Sequence, residues 1–241
     1  SVYFVDDNFI GNKKAARELL PHLIAWRKAR GYPVQFSCEA TLNIDGCPDI
    51  LAMMREAFFY AIFCGIETPE LRALDAMKKS HNHHAAPILD AIATINGYGM
   101  EVVSGIILGL DTDTAATARN LLEFIDRSQI PLLTINLLQA LPKTPLHARL
   151  LAAGRIDDSG ARDSNVVFAR PYDEVLADWR LAVQRAYAPE AIYGRFAWNA
   201  VHTYPNRIRP PLSRVRLSAP YLRRGLVTLA KIIGKIGIVG D

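Results

Sequence analysis

The sequence of 241 residues has only three cysteines, Cys38, Cys47 and Cys64, and no two of them show C-x-x-C spacing. Cysteines this few and this scattered exclude a disulfide framework of the kind that stabilises small secreted domains. We therefore expect free thiols and a reducing, cytoplasmic compartment.

The sequence also lacks an apolar run of the length that a transmembrane helix needs. It has no internal repeat of fixed period and no signal peptide. The chain opens at "SVYFVDDNF", inside a strand pattern and without an initiating methionine. We therefore expect an N-terminal truncation, so the missing leader excludes nothing.

Acidic residues are scarce at the C-terminal end of the chain. The net charge is +4 and the pI is about 9.0, but Asp241 is the only acidic residue after Pro205. The rest of the chain is slightly acidic, which argues against nucleic acid as a partner. The basic residues of this tail are Arg207, Arg209, Arg214, Arg216, Arg223, Arg224, Lys231 and Lys235.

Apolar residues make up 50% of the chain, enough for one large core, and they recur in a strand–helix rhythm. The predicted strands are 2–5, 34–38, 61–66, 101–108 and 132–138. The predicted helices between them are 13–30, 49–57, 69–77, 85–98, 114–128 (capped by Asp113 or Thr114) and 146–153. This alternation predicts parallel βαβ units, closed into a barrel or arranged as a doubly wound sheet.

The composition changes near Gly154. Beyond it the chain has irregular stretches and then helical patterns at 172–187, 189–201 and 221–238. We therefore predict two parts, an α/β domain over residues 1–155 and a C-terminal helical extension over residues 156–241.

Polar residues cluster where the predicted strands end, which is where parallel α/β folds bind ligands. Most such residues cap helices or turn loops, and we assign that role to Thr68 and Asp113. Glu67, in the run "FCGIETPE", is different because glutamate caps helices poorly and costs free energy when it is buried unpaired. Acidic side chains around one opening favour a cationic, hydroxyl-rich ligand, with Mg²⁺ as the alternative.

Two further motifs bear on ligands. In "GIILG" (105–109), glycines within a strand indicate the close approach of a ligand or a second backbone, and Ile107 is a flat apolar support for a planar ring. The histidines His81, His83 and His84 lie in a polar loop, and we expect them to be solvated rather than metal-bound.

The motifs "FVDDNFIGNKK", "FSCEATLNI", "FCGIETPE", "GIILGLDTDT" and "ALPKTPL" resemble, in order, the strand ends of radical S-adenosylmethionine enzymes of the cobalamin-binding class. The resemblance covers about residues 1–155 and implies a partial (β/α)6 TIM-like barrel. It implies contacts of the S-adenosylmethionine amino group with Asp6, Asp7 and Asn8, and of its ribose with Glu67. The remaining implied cofactor-binding residues are Glu39, Gly105, Ile107 and Gly109 (the last three against adenine) and Leu141.

The C-terminal motifs "SNVVFARPYDEV" and "AYAPEAIYGRFAWNAVHTYPNR" are similar to those of the hopanoid C2 methylase subgroup. This resemblance implies radical C-methylation of a pentacyclic triterpenoid lipid, with S-adenosylmethionine, a [4Fe–4S] cluster and cobalamin as cofactors. It also implies an electron donor, which the sequence does not identify.

The C-x-x-x-C-x-x-C motif that binds the cluster in this family is absent from the sequence. The three cysteines cannot replace it at their spacings. We expect the motif and a cobalamin domain upstream of Ser1, and we expect the chain alone to be inactive.

Two other functions fit parts of the sequence: a radical enzyme of the same class with another substrate, and a non-radical (β/α)8 barrel that uses carboxylates. The C-terminal pattern leaves two further alternatives open. Over residues 221–239, Leu222, Leu226 and Leu229 share one helical face and Arg224 and Lys231 share another. Such a helix either packs on the barrel or lies on the inner face of an anionic membrane.

Overall fold

The computed structural model describes residues 1–70, 88–210 and 219–238, without the side chains of residues 232, 233 and 235–238. Within these ranges the chain forms one parallel sheet of five strands in the order β1-β2-β3-β4-β5, which is also their order in the chain. The strands are β1 (Val2–Phe4), β2 (Phe36–Glu39), β3 (Phe59–Glu67), β4 (Glu101–Leu108) and β5 (Leu132–Leu137). The predicted α/β class with a parallel sheet is confirmed.

The described helices are α1 (Lys13–Ala29), α2 (Pro48–Ala57), α3 (Ile88–Gly97), α4 (Thr117–Ser128), α5 (Pro145–Ala152), α6 (Tyr172–Ala186), α7 (Pro189–His202) and α8 (Ala219–Ile238), with 3-10 turns at Leu42–Gly46 and Tyr204–Asn206. Their bounds differ from the predicted ones by no more than three residues wherever both are described. The greater part of the predicted helix at 69–77, the first residues of the one at 85–98, and His81, His83 and His84 lie outside the described residues. None of the described helices is long and apolar enough to cross a bilayer.

Local hydrogen bonds set the helix starts, and one predicted cap is wrong. Asn12 caps α1, since its side chain accepts from the backbone N–H groups of Lys14 and Ala15. α4 begins only at Thr117, and no side chain caps it. Asp113 instead accepts hydrogen bonds from two backbone N–H groups in the turn after β4, so its carboxylate turns this loop rather than starting the helix.

The strands alternate between a buried and an open face, as period-two side-chain placement requires. In β3 the fully buried Ile62, Cys64 and Ile66 alternate with partly exposed residues, and β4 and β5 repeat the pattern in register. We call the accessible side the open face. Its members on β3, β4 and β5 are Phe63, Gly65, Glu67, Val103, Gly105, Ile107, Leu132, Thr134 and Asn136.

The C-terminal region covers the outer edge of β5. Trp179 of α6 donates its indole N–H to the carbonyl of Ile135 at 2.9 Å, and the hydroxyl of Tyr187 donates to the carbonyl of Leu133. These side chains satisfy backbone acceptors that a further strand would otherwise pair.

Candidate functional site

The structure places the sequence-predicted site residues along one edge of the sheet. Because all five described strands are parallel, their carboxyl ends lie together, and each end or the loop after it carries at least one predicted residue. In strand order these are Asp6, Asp7 and Asn8, then Glu39, then Glu67, then Gly105, Ile107 and Gly109, and last Leu141.

The loops after β1 and β2 are joined by Asn8. Its Oδ1 accepts from the backbone N–H groups of Ile10 and Thr41, each at 3.3 Å, and its Nδ2 donates to Thr41 Oγ1 at 3.3 Å. Asn8 therefore has a clear structural role in shaping this end of the sheet. The neighbouring carboxylates of Asp6 and Asp7 are exposed, so of the three they are the better placed to meet a cationic ligand.

Glu39, at the end of β2, is held by a residue that sequence reasoning did not select. The hydroxyl of Tyr3 on β1 donates to Glu39 Oε1 at 2.5 Å. Partial desolvation of this exposed side chain, with the hydrogen bond and the charge of Glu39, raises the pKa of Tyr3 to about 12. The contact fixes the orientation of the Glu39 carboxylate at the ligand-binding edge.

Glu67, at the end of β3, has an uncommon backbone conformation. The register between β3 and β4 shifts between Gly65 and Glu67, and Glu67 has φ = +66°. A non-glycine residue in this region is uncommon, and strained backbone positions cluster at functional sites. The bulge brings the carboxylate beside Gly65, where an added Cβ would lie 3.1 Å from Glu67 Oε1.

Gly65 and Gly105 pair with each other across β3 and β4, so neither position places a Cβ on the open face. A Cβ at Gly105 would lie 3.3 Å from Thr134 Oγ1 and 3.4 Å from Phe63 Cζ, so these two side chains border the glycine pair. Ile107 follows on the same face. Glycines within strands are typical of places where a ligand or a second backbone approaches closely.

Gly109 has a different explanation from the predicted one. Its φ is +95°, and a Cβ there would lie 2.5 Å from the ring of Phe168. Phe168, from the C-terminal region, therefore accounts for the glycine at this position without a ligand. A contact between Gly109 and adenine stays a prediction.

Two aspartates follow β4 and differ in environment. Asp111 accepts from Arg155 at 2.6 Å and from Arg149 at 3.1 Å, and chiefly the Arg155 hydrogen bond holds the pKa of its carboxyl below the usual range. Burial raises the pKa of Asp113 to about 6, although the N–H groups of Gly109 and Leu110 oppose this by hydrogen bonding to its Oδ2 at 2.7 and 3.1 Å.

The loop after β5 is fixed by a side chain from the C-terminal region. Asn165 hydrogen bonds with both backbone groups of Ala140, which is fully buried, whereas the next residue, Leu141, is 64% exposed. Leu141 therefore projects from a fixed backbone at the end of β5.

The described residues do not fit an iron–sulfur cluster. No group of three or more His, Cys, Asp or Glu side chains in the described parts of the chain is placed to hold a metal ion. The three cysteines are buried free thiols, and burial raises the pKa of Cys64 to about 12.

Sequence reasoning missed five residues of this edge. Three of them, Tyr3, Phe63 and Thr134, lie within strands, and period-two alternation could have placed Phe63 with Gly65 and Glu67. The other two, Asn165 and Phe168, come from the C-terminal region, and no local pattern in "SNVVF" indicates which strand ends they contact.

Comparison with known proteins found one matching family model and two curated relatives. Residues 144–241 match a family described as a domain of unknown function, DUF4070. The chain is 31% identical to an uncharacterised methyltransferase of Synechocystis, covering 81% of this chain and 37% of that protein. It is 56% identical over its whole length to the hopanoid C-2 methylase of Rhodopseudomonas palustris, and it spans 45% of that protein. The chain belongs to the hopanoid C-2 methylase family.

Proposed function

We propose that the chain forms the S-adenosylmethionine-binding part of a radical, cobalamin-dependent methylase that acts on a hopanoid lipid. The observation that carries the proposal is the glycine pair Gly65–Gly105 beside the Glu67 carboxylate, at the common edge of successive parallel strands. Strand order identical to chain order supports a partial (β/α)6 barrel over residues 1–155, followed by an extension over residues 156–241.

In this proposal the chain binds and orients the nucleoside. Glu67 accepts hydrogen bonds from the ribose hydroxyls, and the adenine packs against the strands at Gly65 and Gly105, where no Cβ projects. Asp6 and Asp7 attract the ammonium group of the methionine part. The cluster and cobalamin, when bound elsewhere in the complete protein, supply the radical and the methyl group.

The test compares S-adenosylmethionine binding by calorimetry in the complete, cluster-loaded protein. Glu67→Ala should weaken binding by about 1–3 kcal/mol, the usual loss with a charged hydrogen-bond partner. Glu70→Ala is the matched control, since Glu70 lies three residues on and accepts from Thr117 and Asn120 instead. Unchanged affinity in a folded Glu67→Ala protein would refute the ribose assignment.

Product analysis separates the alternatives. A radical methylase forms 5′-deoxyadenosine when it is supplied with reductant and S-adenosylmethionine, whereas a carboxylate-based barrel enzyme does not. Methylation of an extracted hopanoid, and not of other lipids, would distinguish the proposed substrate from others of the same enzyme class.

We further propose that α8 contacts the inner face of an anionic membrane. Leu222, Leu226 and Leu229 on its apolar side are 50%, 67% and 52% exposed, so packing on the barrel does not bury this stripe. Arg224 and Lys231 are also exposed, and α8 has no acidic residue to neutralise them. An exposed apolar stripe with basic neighbours is typical of an interfacial helix, and each such charge contributes about 1 kcal/mol near an anionic surface.

Liposome sedimentation tests this contact. The protein should pellet with anionic vesicles at low salt, bind neutral vesicles less, and be released by high salt because the attraction is screened. Replacing Arg223, Arg224 and Lys231 with glutamine should remove the preference. Equal binding to both vesicle types, or to neither, would contradict the proposal.

A further inference from the structure

Residues 163–168, which we call the strap, cross the carboxyl ends of β4 and β5. We propose that the strap, chiefly through Asn165, is the positioning element that holds the loop after β5 in the conformation that binds the nucleoside. The inference rests on the proposed function, because that loop carries the predicted cofactor-binding residue Leu141.

The contact of Asn165 with Ala140 resembles the pairing of two strands. Asn165 Oδ1 accepts from the backbone N–H of Ala140 at 2.9 Å, and Asn165 Nδ2 donates to the carbonyl of Ala140 at 2.9 Å. A single carboxamide thus satisfies both backbone groups of a fully buried residue. Since buried backbone groups are costly to leave unpaired, this contact selects the path of the loop.

Neighbouring contacts extend the clamp along the loop. Ser164, which is 2% exposed, donates its hydroxyl to the carbonyl of Leu138 at 2.6 Å. Gln139 donates from Nε2 to the carbonyl of Asp163 at 2.6 Å and accepts from the backbone N–H of Asn165 at 3.3 Å. Three consecutive residues after β5 are therefore tied to three consecutive residues of the strap.

The other end of the strap is fixed to β4. The ring of Phe168 lies against Gly109 and stacks on Tyr172 with centroids 5.9 Å apart. Arg155 donates from Nε to the carbonyl of Val167 at 2.8 Å and from Nη2 to Asp111 Oδ1 at 2.6 Å. The strap therefore links the end of β4, the strand predicted to contact the adenine, to the loop after β5 that carries Leu141, and it sets the spacing of these two segments.

The chain offers a matched control at the opposite end of β5. Asn199 of α7 donates to the carbonyl of Gln129, just before β5, at 2.8 Å, and it is fully buried. Asn199→Ala removes a hydrogen bond from a side-chain amide to a backbone carbonyl next to the same strand, but at the end opposite the proposed ligand-binding edge. Its cost in stability should equal or exceed that of Asn165→Ala, because Asn165 is only half-buried.

The experiment measures S-adenosylhomocysteine binding by calorimetry in the complete, cluster-loaded protein, together with amide hydrogen exchange of residues 138–141. Asn165→Ala should weaken binding about tenfold and speed exchange at Ala140, as the loss of one or two hydrogen bonds predicts. Asn165→Asp keeps the acceptor and loses the donor, so it should also weaken binding and speed exchange at Ala140. This variant replaces Asn165→Ala in the test if Asn165→Ala does not fold. Asn199→Ala should lower the unfolding midpoint and leave affinity within about twofold.

Equal affinities of the Asn165 variants and the wild type would overturn the inference alone. Equal losses in the Asn165 and Asn199 variants would also overturn it, since the effect would then follow from stability. Absence of binding by the wild type would instead overturn the proposed function and this inference with it.

Discussion

Asp113 makes the free energy of unfolding depend on pH in an unusual direction. Burial raises its pKa from the ordinary 3.8 to about 6, the charge of Glu70 adds to the rise, and the backbone N–H groups of Gly109 and Leu110 and the charge of Arg170 oppose it. Because the folded state holds the proton more tightly than the unfolded state, protonated Asp113 favours folding. This contribution is complete below about pH 4 and is lost as the pH rises through 6.

The size of the effect follows from the pKa. A rise from 3.8 to about 6 corresponds to about 3 kcal/mol at 1.36 kcal/mol per pKa unit. The carboxyl is partly open to solvent, which screens the interaction, so we expect about 1–2 kcal/mol.

Asp113→Asn isolates this contribution. Both backbone donors bind the same carboxylate oxygen, Oδ2, and the asparagine carbonyl can take that place without titrating. Urea unfolding followed by circular dichroism, between about pH 4 and pH 7, should show the wild type losing about 1–2 kcal/mol more than the variant. Parallel pH profiles of the two proteins would refute the burial argument.

Two further predictions concern the opposite edge of the sheet. In urea unfolding, Gly99→Ala should lower the free energy of unfolding by about 2–4 kcal/mol, because φ is +83° and the new Cβ would lie 2.6 Å from the backbone nitrogen of Arg207. The control is Gly97→Ala, whose new Cβ would have no atom within 4 Å, so it should be neutral or mildly stabilising in the same assay. Tyr204→Phe removes a 2.7 Å hydrogen bond to the buried carboxylate of Glu101 and should lower the free energy of unfolding by about 1–3 kcal/mol. An unchanged midpoint in thermal or urea unfolding would contradict this role of Tyr204.

The strand–helix order and the common edge at which the strands end could be predicted because both follow from local pattern. Apolar runs of strand length between helical periods fix the element types, and parallel pairing then places every strand end at one edge. Glu67 could be selected for the same reason, since a glutamate that ends a buried strand stands out in the sequence. Element ends were less predictable, because hydrogen bonds outside the element decide them, as at Thr117.

Contacts between residues far apart in the chain could not be predicted in this way. The bulge and the positive φ of Glu67 arise from the pairing of β3 with β4, which no local propensity encodes. Asp113 is a residue type that often caps helices, but its carboxylate instead accepts hydrogen bonds from two backbone N–H groups in the turn after β4. Asn165 acts on Ala140 across twenty-five residues, and an asparagine in an irregular stretch gives no sign of its partner.

The edge of β5 explains why the C-terminal region and the sheet depend on each other. An edge strand presents unpaired carbonyl groups, and in the described structure side chains rather than a further strand bind those of Leu133 and Ile135 in β5. Side chains also bind the carbonyls of Leu138 and Ala140 in the loop that follows. All four donors lie between residues 164 and 187, within the region that matches DUF4070. A region that completes the last strand in this way also sets the position of the loop that follows it. Under the proposed function, substitutions in the C-terminal region should therefore change nucleoside binding without contacting the nucleoside.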